Sequence, residues 1–220
     1  MDLENPIRSI APSLDSSVLQ VLAETESALS ATQITQLARF GSRTGLLPVL
    51  DRLVDHGLVN AEPANRGFMY RLNREHVLAD PLLAIARVRA EVLRRLQVAV
   101  GSLTPSPLHA SVYGSFARGE AGPSSDIDVL LVLPERPSDE DAWAEQLHVF
   151  AGRVLGWTGN RLEVFALSVQ ELRAYAKRRE PVVSSWREES ITLHGVALDR
   201  LLEPLPRSRK QHAMRPLVTR

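Results

Sequence analysis

Apolar positions near the start of the chain recur at helical spacing, with Leu14, Val18, Val21 and Leu22 on one face. Ser30 and Gln33 form a capping-box pattern that predicts a short helix carrying Ile34 and Leu37. After the break at Gly41-Ser42, a third helix places Leu46, Leu47, Leu50, Leu53 and Val54 on its apolar side. Pro48 has no N–H to donate, so the regular helix is predicted to start near Thr44–Leu47, and Gly57 is its natural stop. Leu58-Val59-Asn60-Ala61 then reads as a strand, Ala64-Asn65-Arg66-Gly67 as a turn and Phe68 to Leu72 as the returning strand. Residues 81–100 read as one long helix with Ile85, Val88, Val92, Leu93 and Leu96 on one face. Its arginines (87, 89, 94 and 95) lie elsewhere, and the turn-rich stretch GSLTPSP follows. From Leu108 onward the period changes, and short apolar strands alternate with helices. Strands are predicted to end at Val112-Tyr113 and to span Asp126–Val132, residues 161–167 and Ile191–Gly195. Helices are predicted from Ser138 to about Leu155, with Trp143, Leu147, Phe150 and Val154 inward, from the Ser168/Glu171 capping box to about Arg179, and from Pro181 through Val183 and Trp186.

A chain of 220 residues with 44% apolar positions is long enough for two cored units. The 26 basic and 26 acidic residues balance, which excludes a chain-wide basic coat for nucleic acid. There is no cysteine, so disulfides, zinc fingers and thiolate catalysis are excluded. The first residues carry no apolar signal region, and the longest apolar run, Ile127 to Pro134, is far short of the ~20 residues of a membrane helix. The expectation is a cytoplasmic protein without a membrane partner. Its fold class is α+β: residues 1–80 form the first unit, 81–107 a connecting helix and linker, 108–203 the second unit, and 204–220 a basic tail with three prolines.

The layout of the first unit, three helices with a short break before the third and then a hairpin, resembles a winged helix-turn-helix. The resemblance is most specific at residues 50–73, LDRLVDHGLVNAEPANRGFMYRLN. It implies that the third helix enters the DNA major groove and that the hairpin touches the backbone. Residues 1–80 hold ten acids and seven arginines, but between Arg39 and Arg74 there are six arginines (39, 43, 52, 66, 71 and 74) against three acids. That local surplus suits a modest phosphate footprint on double-stranded DNA, with Ser42, Arg43, Thr44 and Arg66 as candidate DNA contacts. The alternative is a protein-docking module, a role that winged helices also fill.

The chemistry is concentrated in Ser111 to Pro134, SVYGSFARGEAGPSSDIDVLLVLP. A strand ends at Tyr113, Gly114-Ser115 makes a tight turn, and Phe116 begins a helix. A strand-to-helix turn offers backbone N–H groups and the positive end of a helix dipole to a phosphate. Ser115 adds a hydroxyl, and Arg118 can add charge to the same phosphates. Asp126 and Asp128 are two apart on a strand, so both carboxylates project from one face. Their repulsion is relieved by a hard divalent cation such as Mg²⁺, which takes carboxylate and phosphate oxygens together.

This segment, with Gly114, Ser115, Arg118, Gly119, Ser125, Asp126 and Asp128 in place, resembles the polymerase-beta-like nucleotidyltransferase superfamily, above all its minimal bacterial members. The resemblance covers roughly residues 108–200. It implies a mixed sheet with helices, a nucleotide-binding set of Gly114, Ser115, Arg118 and Ser125, and a metal-binding aspartate pair. It also implies a third carboxylate on a neighbouring strand. Glu163 is the candidate, against the plainer reading of an edge-strand glutamate in solvent. Asp126, Asp128 and Glu163 would then be both the catalytic residues and the ligands of two Mg²⁺ ions. The implied reaction moves a nucleotidyl group, with ATP as the expected donor, to an acceptor hydroxyl. In the minimal members the acceptor is often a tyrosine of a HEPN-type toxin, and a fused winged helix would suit autoregulation of such a pair. Lys177, Arg178 and Arg179 are either further phosphate contacts or solvated charges. The rival reading is a winged-helix transcription regulator whose nucleotidyltransferase-like part only senses nucleotide.

Overall fold

The computed structural model describes residues 1–38, 43–65 and 67–203, and nothing of the Arg43 side chain. A 3-10 turn at Pro6–Ser9 leads into α1 (Leu14–Glu24), the two-residue strand β1 (Leu29–Ser30), α2 (Ala31–Ala38) and α3 (Arg43–Asp55). The strands β2 (Val59–Ala64) and β3 (Gly67–Leu72) form a hairpin, and the antiparallel sheet runs β1-β3-β2. The capping box of α2 forms as the spacing predicts: the Gln33 N–H donates to Ser30 Oγ, and Gln33 Oε1 accepts from the Ser30 N–H. Gly57 ends α3 with φ +74°. Val18, Leu22, Ile34, Leu46 and Leu50 meet in one core, which Tyr70 and Leu72 close from the sheet.

Two expectations are corrected in this half. Helix α3 begins at Arg43, so Pro48 lies inside the helix and not within its first turn. The missing donor leaves the Thr44 carbonyl without its intrahelical partner, and Thr44 and Pro48 are both exposed, so water can satisfy that carbonyl. The single helix expected over 81–100 is two helices, α4 (Ala79–Ala86) and α5 (Val88–Gly101), parted at Arg87 (φ −89°, ψ 5°). The reason lies in what they bury. Leu82, Leu83 and Ala86 join the N-terminal core, whereas Val92, Leu96, Ala99 and Val100 join the core of the second sheet. One straight apolar stripe cannot serve both.

The second sheet contains β4 (His109–Tyr113), β5 (Ile127–Leu133), β6 (Leu162–Ser168) and β7 (Ile191–Gly195), in the order β6-β5-β4-β7. It is mixed: β5 and β6 are parallel, and the other two pairings are antiparallel. The short α6 (Gly114–Arg118) follows β4, and α7 (Glu140–Thr158) crosses over from β5 to β6. α8 (Val169–Arg178), α9 (Pro181–Glu188) and α10 (Leu198–Leu202) complete the described chain. β5 is covered on both faces, which explains its unbroken apolar run. Val129, Leu131 and Leu133 pack toward Leu96, Phe150 and Val154 of α5 and α7. Leu130 and Val132 pack toward Leu172 and Trp186 of α8 and α9. This division also sorts the polar residues of the sheet, because alternate side chains point to opposite faces.

Candidate active site

Gly114 is the first residue of α6 and has φ +69°. A Cβ at this position would run into the Asp128 carboxylate, so only glycine lets the turn and the carboxylate approach this closely. Tyr113, at the N-cap, is extended and makes no side-chain cap. The first N–H groups of a helix have no intrahelical acceptor, so α6 presents them uncapped by a side chain, which suits an anion. Gly119 closes the helix in the left-handed region, φ +71°.

Asp126 stands just before β5 and is exposed, whereas Asp128 lies within β5 and is half-buried. In the parallel ladder Asp128 is the register partner of Glu163, and in the antiparallel ladder it is the partner of Tyr113. Glu163 alternates with Leu162 and Val164, which face α7, and shares its parity with Phe165 and Leu167, which face α8 and α9. By the same parity Asp128 sides with Leu130 and Val132. The structure therefore brings Asp128 and Glu163 to the same face of adjacent strands, at the end of the sheet where α6 begins. Burial, and then the charges of Asp126 and Glu163, push the Asp128 carboxyl above its ordinary value, while Arg118 opposes the shift.

The remaining predicted residues are placed as follows. Ser115 is half-buried in the first turn of α6. Ser125 Oγ accepts from the Gly122 N–H at 3.0 Å and so closes the turn before Asp126. Arg118 donates to Glu120 and to Glu189, each at 2.8 Å. In the N-terminal half, Thr44 is exposed at the start of α3, while Ser42 and Arg66 lie outside the described residues, as do Arg39 and residues 204–220. Three arginines of the expected surplus have partners within the fold: Arg52 with Asp15, Arg71 with Glu62, and Arg74 with the Thr25 carbonyl.

Three supporting side chains carry no motif signal. Asn160, 2% exposed, donates to the Ser125 carbonyl at 2.9 Å and so fixes the approach to Asp126. Arg89 donates to the Phe116 carbonyl at 2.8 Å and lies over the Phe116 ring, holding the C-terminal end of α6. Trp186 is fully buried and packs against Tyr113, Phe165 and Tyr175, an aromatic wall beside the carboxylates. Aromatic spacing in the sequence marks Trp186 as core but does not reveal this assembly.

Among the described residues, no three His, Cys, Asp or Glu side chains are already gathered as a metal centre. The donor chemistry nevertheless fits a hard divalent cation. All the donors are carboxylate oxygens, and their mutual repulsion is felt at Asp128.

Residues 93–185 match the family model described as a nucleotidyltransferase domain. Over 81 residues the chain is 40% identical to the bifunctional uridylyltransferase/uridylyl-removing enzyme of Bordetella pertussis, a stretch that is 36% of this chain and 9% of that protein. Over 71 residues it is 38% identical to the protein of the same description in Bordetella avium, covering 31% of this chain and 8% of that one. The chain thus spans less than a tenth of the length of these relatives. No solved structure is significantly similar to it. The match is thus to a nucleotidyltransferase domain over residues 93–185, and both relatives are named as uridylyltransferases.

Proposed function

We propose that the chain transfers a nucleotidyl group from a nucleoside triphosphate to an acceptor hydroxyl. The observation that carries this reading is the convergence of the uncapped Gly114-Ser115 helix start with Asp128 and Glu163, which are register partners on adjacent strands. The α6 turn binds the triphosphate through its backbone N–H groups, with Ser115 and Arg118 beside it. The acceptor oxygen forms a bond to the α-phosphorus, the α–β bridging P–O bond breaks, and pyrophosphate leaves. Glu163 takes the acceptor's proton. Asp126, Asp128 and Glu163 would hold Mg²⁺, which when bound neutralises charge on the attacking and leaving oxygens. ATP is the donor expected from the resemblance, and UTP stands beside it because the relatives are named as uridylyltransferases.

The acceptor in this proposal is a tyrosine of a partner toxin of the HEPN type. The N-terminal unit is proposed as a winged helix that binds double-stranded DNA through Arg43, Thr44, Ser42 and Arg66. Among the described residues no helix is long and apolar enough to cross a membrane.

The test is thermal unfolding with Mg²⁺ plus ATP, UTP, GTP or CTP. A nucleotide at 100 times its dissociation constant stabilises by about 2.7 kcal/mol. Asp126→Asn combined with Asp128→Asn should abolish that stabilisation and pyrophosphate release, while metal-free stability holds or rises because like charges are removed. Full pyrophosphate release by the double variant would place the site elsewhere.

A further inference from the structure

Arg118, which the proposed function sets beside the nucleotide's phosphates, stands at the end of α6 near enough to Asp128 to act on its carboxyl, yet its guanidinium is already engaged. Nε donates to Glu120 Oε2 and Nη1 donates to Glu189 Oε2, both at 2.8 Å. Glu120 is a close neighbour on the same loop. Glu189 is the residue that caps the C-terminal end of α9, 71 positions away and outside the stretch that matches the nucleotidyltransferase family. It is held in place, since the same oxygen accepts the Ser185 hydroxyl at 3.0 Å. Its helix is anchored by fully buried Trp186, which packs on Tyr113 one residue before the Gly114-Ser115 turn. Arg118 and Ser185 together hold the Glu189 carboxyl below its ordinary range.

The Arg118 and Glu189 side chains remain 39% and 33% exposed, so this is an ion pair at the mouth of the site and not a buried one. Such pairs are weak and exchange readily. A triphosphate carries more charge than one carboxylate and accepts the planar guanidinium in a fork. Glu120 and Glu189 take donors at Nε and Nη1, so a phosphate that takes the fork through Nη1 competes directly with Glu189.

We propose that Glu189 competes with the nucleotide's triphosphate for Arg118 and thereby sets nucleotide affinity. The guanidinium rests on Glu189 in the free protein and passes to the phosphates on binding. This rests on the nucleotidyl-transfer reading and names a residue that tunes it. Removing the Glu189 charge also removes simple repulsion of the triphosphate, but only competition requires Arg118.

The experiment is calorimetric titration with the non-transferable α,β-methylene analogues of ATP and UTP in Mg²⁺, on four proteins: wild type, Glu189→Gln, Arg118→Gln and the double variant. Melting without nucleotide establishes that each is folded. Glu189→Gln should bind about two- to fivefold more tightly than wild type, and the gain should vanish in the Arg118→Gln background. Equal or weaker binding by Glu189→Gln overturns the inference, as does the same gain without Arg118. If wild type binds neither analogue, the nucleotidyl-transfer reading falls as well. If it binds and Glu189→Gln binds equally, that reading stands and this inference alone fails.

Discussion

At the scale of single residues, Glu163 carries the most information. It is exposed on an otherwise apolar strand, and its register partner is Asp128, whose carboxyl is pushed up by burial and by Asp126 and Glu163. On the proposed reading, neutralising Glu163 removes a proton acceptor and a metal oxygen but leaves the α6 turn and both aspartates. Glu163→Gln should therefore keep most of the stabilisation by Mg²⁺-nucleotide and lose turnover by about 10²–10⁴-fold. Single-turnover pyrophosphate release measured beside nucleotide titration separates the two. Unchanged turnover would return Glu163 to the role of a solvated edge residue.

Among the elements, α8 and α6 depend on polar anchors that can be removed singly. Ser168 and Glu171 form the capping box of α8, and the Glu171 carboxylate also accepts from Arg136 at 2.7 Å. Arg136, together with the Ser168 N–H, holds the Glu171 carboxyl at about 2, below its ordinary value of 4.5. A carboxyl depressed in the folded state stabilises the fold above its unfolded pKa. That contribution is lost as pH falls through the window from about 4.5 to about 2. Urea unfolding should show wild type more stable than Glu171→Gln at pH 6, with the difference shrinking through that window and with added salt. For α6, whose five residues cannot sustain a helix alone, Arg89 supplies donors to the carbonyls of Phe116 and Ala117. Arg89→Ala should lower the melting temperature by several degrees, corresponding to about 1–3 kcal/mol for a charged hydrogen bond. It should weaken nucleotide binding in parallel, whereas Arg89→Lys should recover part of both.

At the scale of the whole molecule, the two sheets are joined by α4 and α5, each buried in a different core, and the N-terminal arm also reaches across. The Leu3 N–H donates to the Ala121 carbonyl in the loop between α6 and β5. Of the arginines from Arg39 to Arg74, Arg52 and Arg71 are ion-paired within the fold, with Asp15 and Glu62, while Arg74 donates to the Thr25 carbonyl and keeps its charge. Exposed pairs of this kind yield to phosphate at low salt. The expected outcome is weak, steeply salt-dependent binding to the chain's own upstream DNA. Arg43→Ala or Arg66→Ala should each lower the affinity and reduce the salt slope by about one. Gel-shift titration at two salt concentrations checks this, and no specific shift at either would favour protein docking.

Local signals determined a great deal by themselves. The capping boxes at Ser30/Gln33 and Ser168/Glu171 and the stop at Gly57 depend on neighbours within a few residues and stand where the spacing puts them, and the strand predicted at Asp126–Val132 forms one residue later, at Ile127–Leu133. The Gly114-Ser115 turn is legible for the same reason, whereas Asp126 falls just before β5 and not on the strand with Asp128 as its spacing predicts. What the sequence could not determine lies between distant segments. The break at Arg87 follows from two cores that pull one apolar stripe in different directions. Helix α3 tolerates Pro48 in its interior because that position is exposed. The pairing of Asp128 with Glu163 depends on strand register across the α7 crossover. The partners of Arg118, Arg89 and Asn160 lie 71, 27 and 35 positions away along the chain. Such contacts form only when packing brings distant segments together, so no local pattern of apolar and polar residues encodes them.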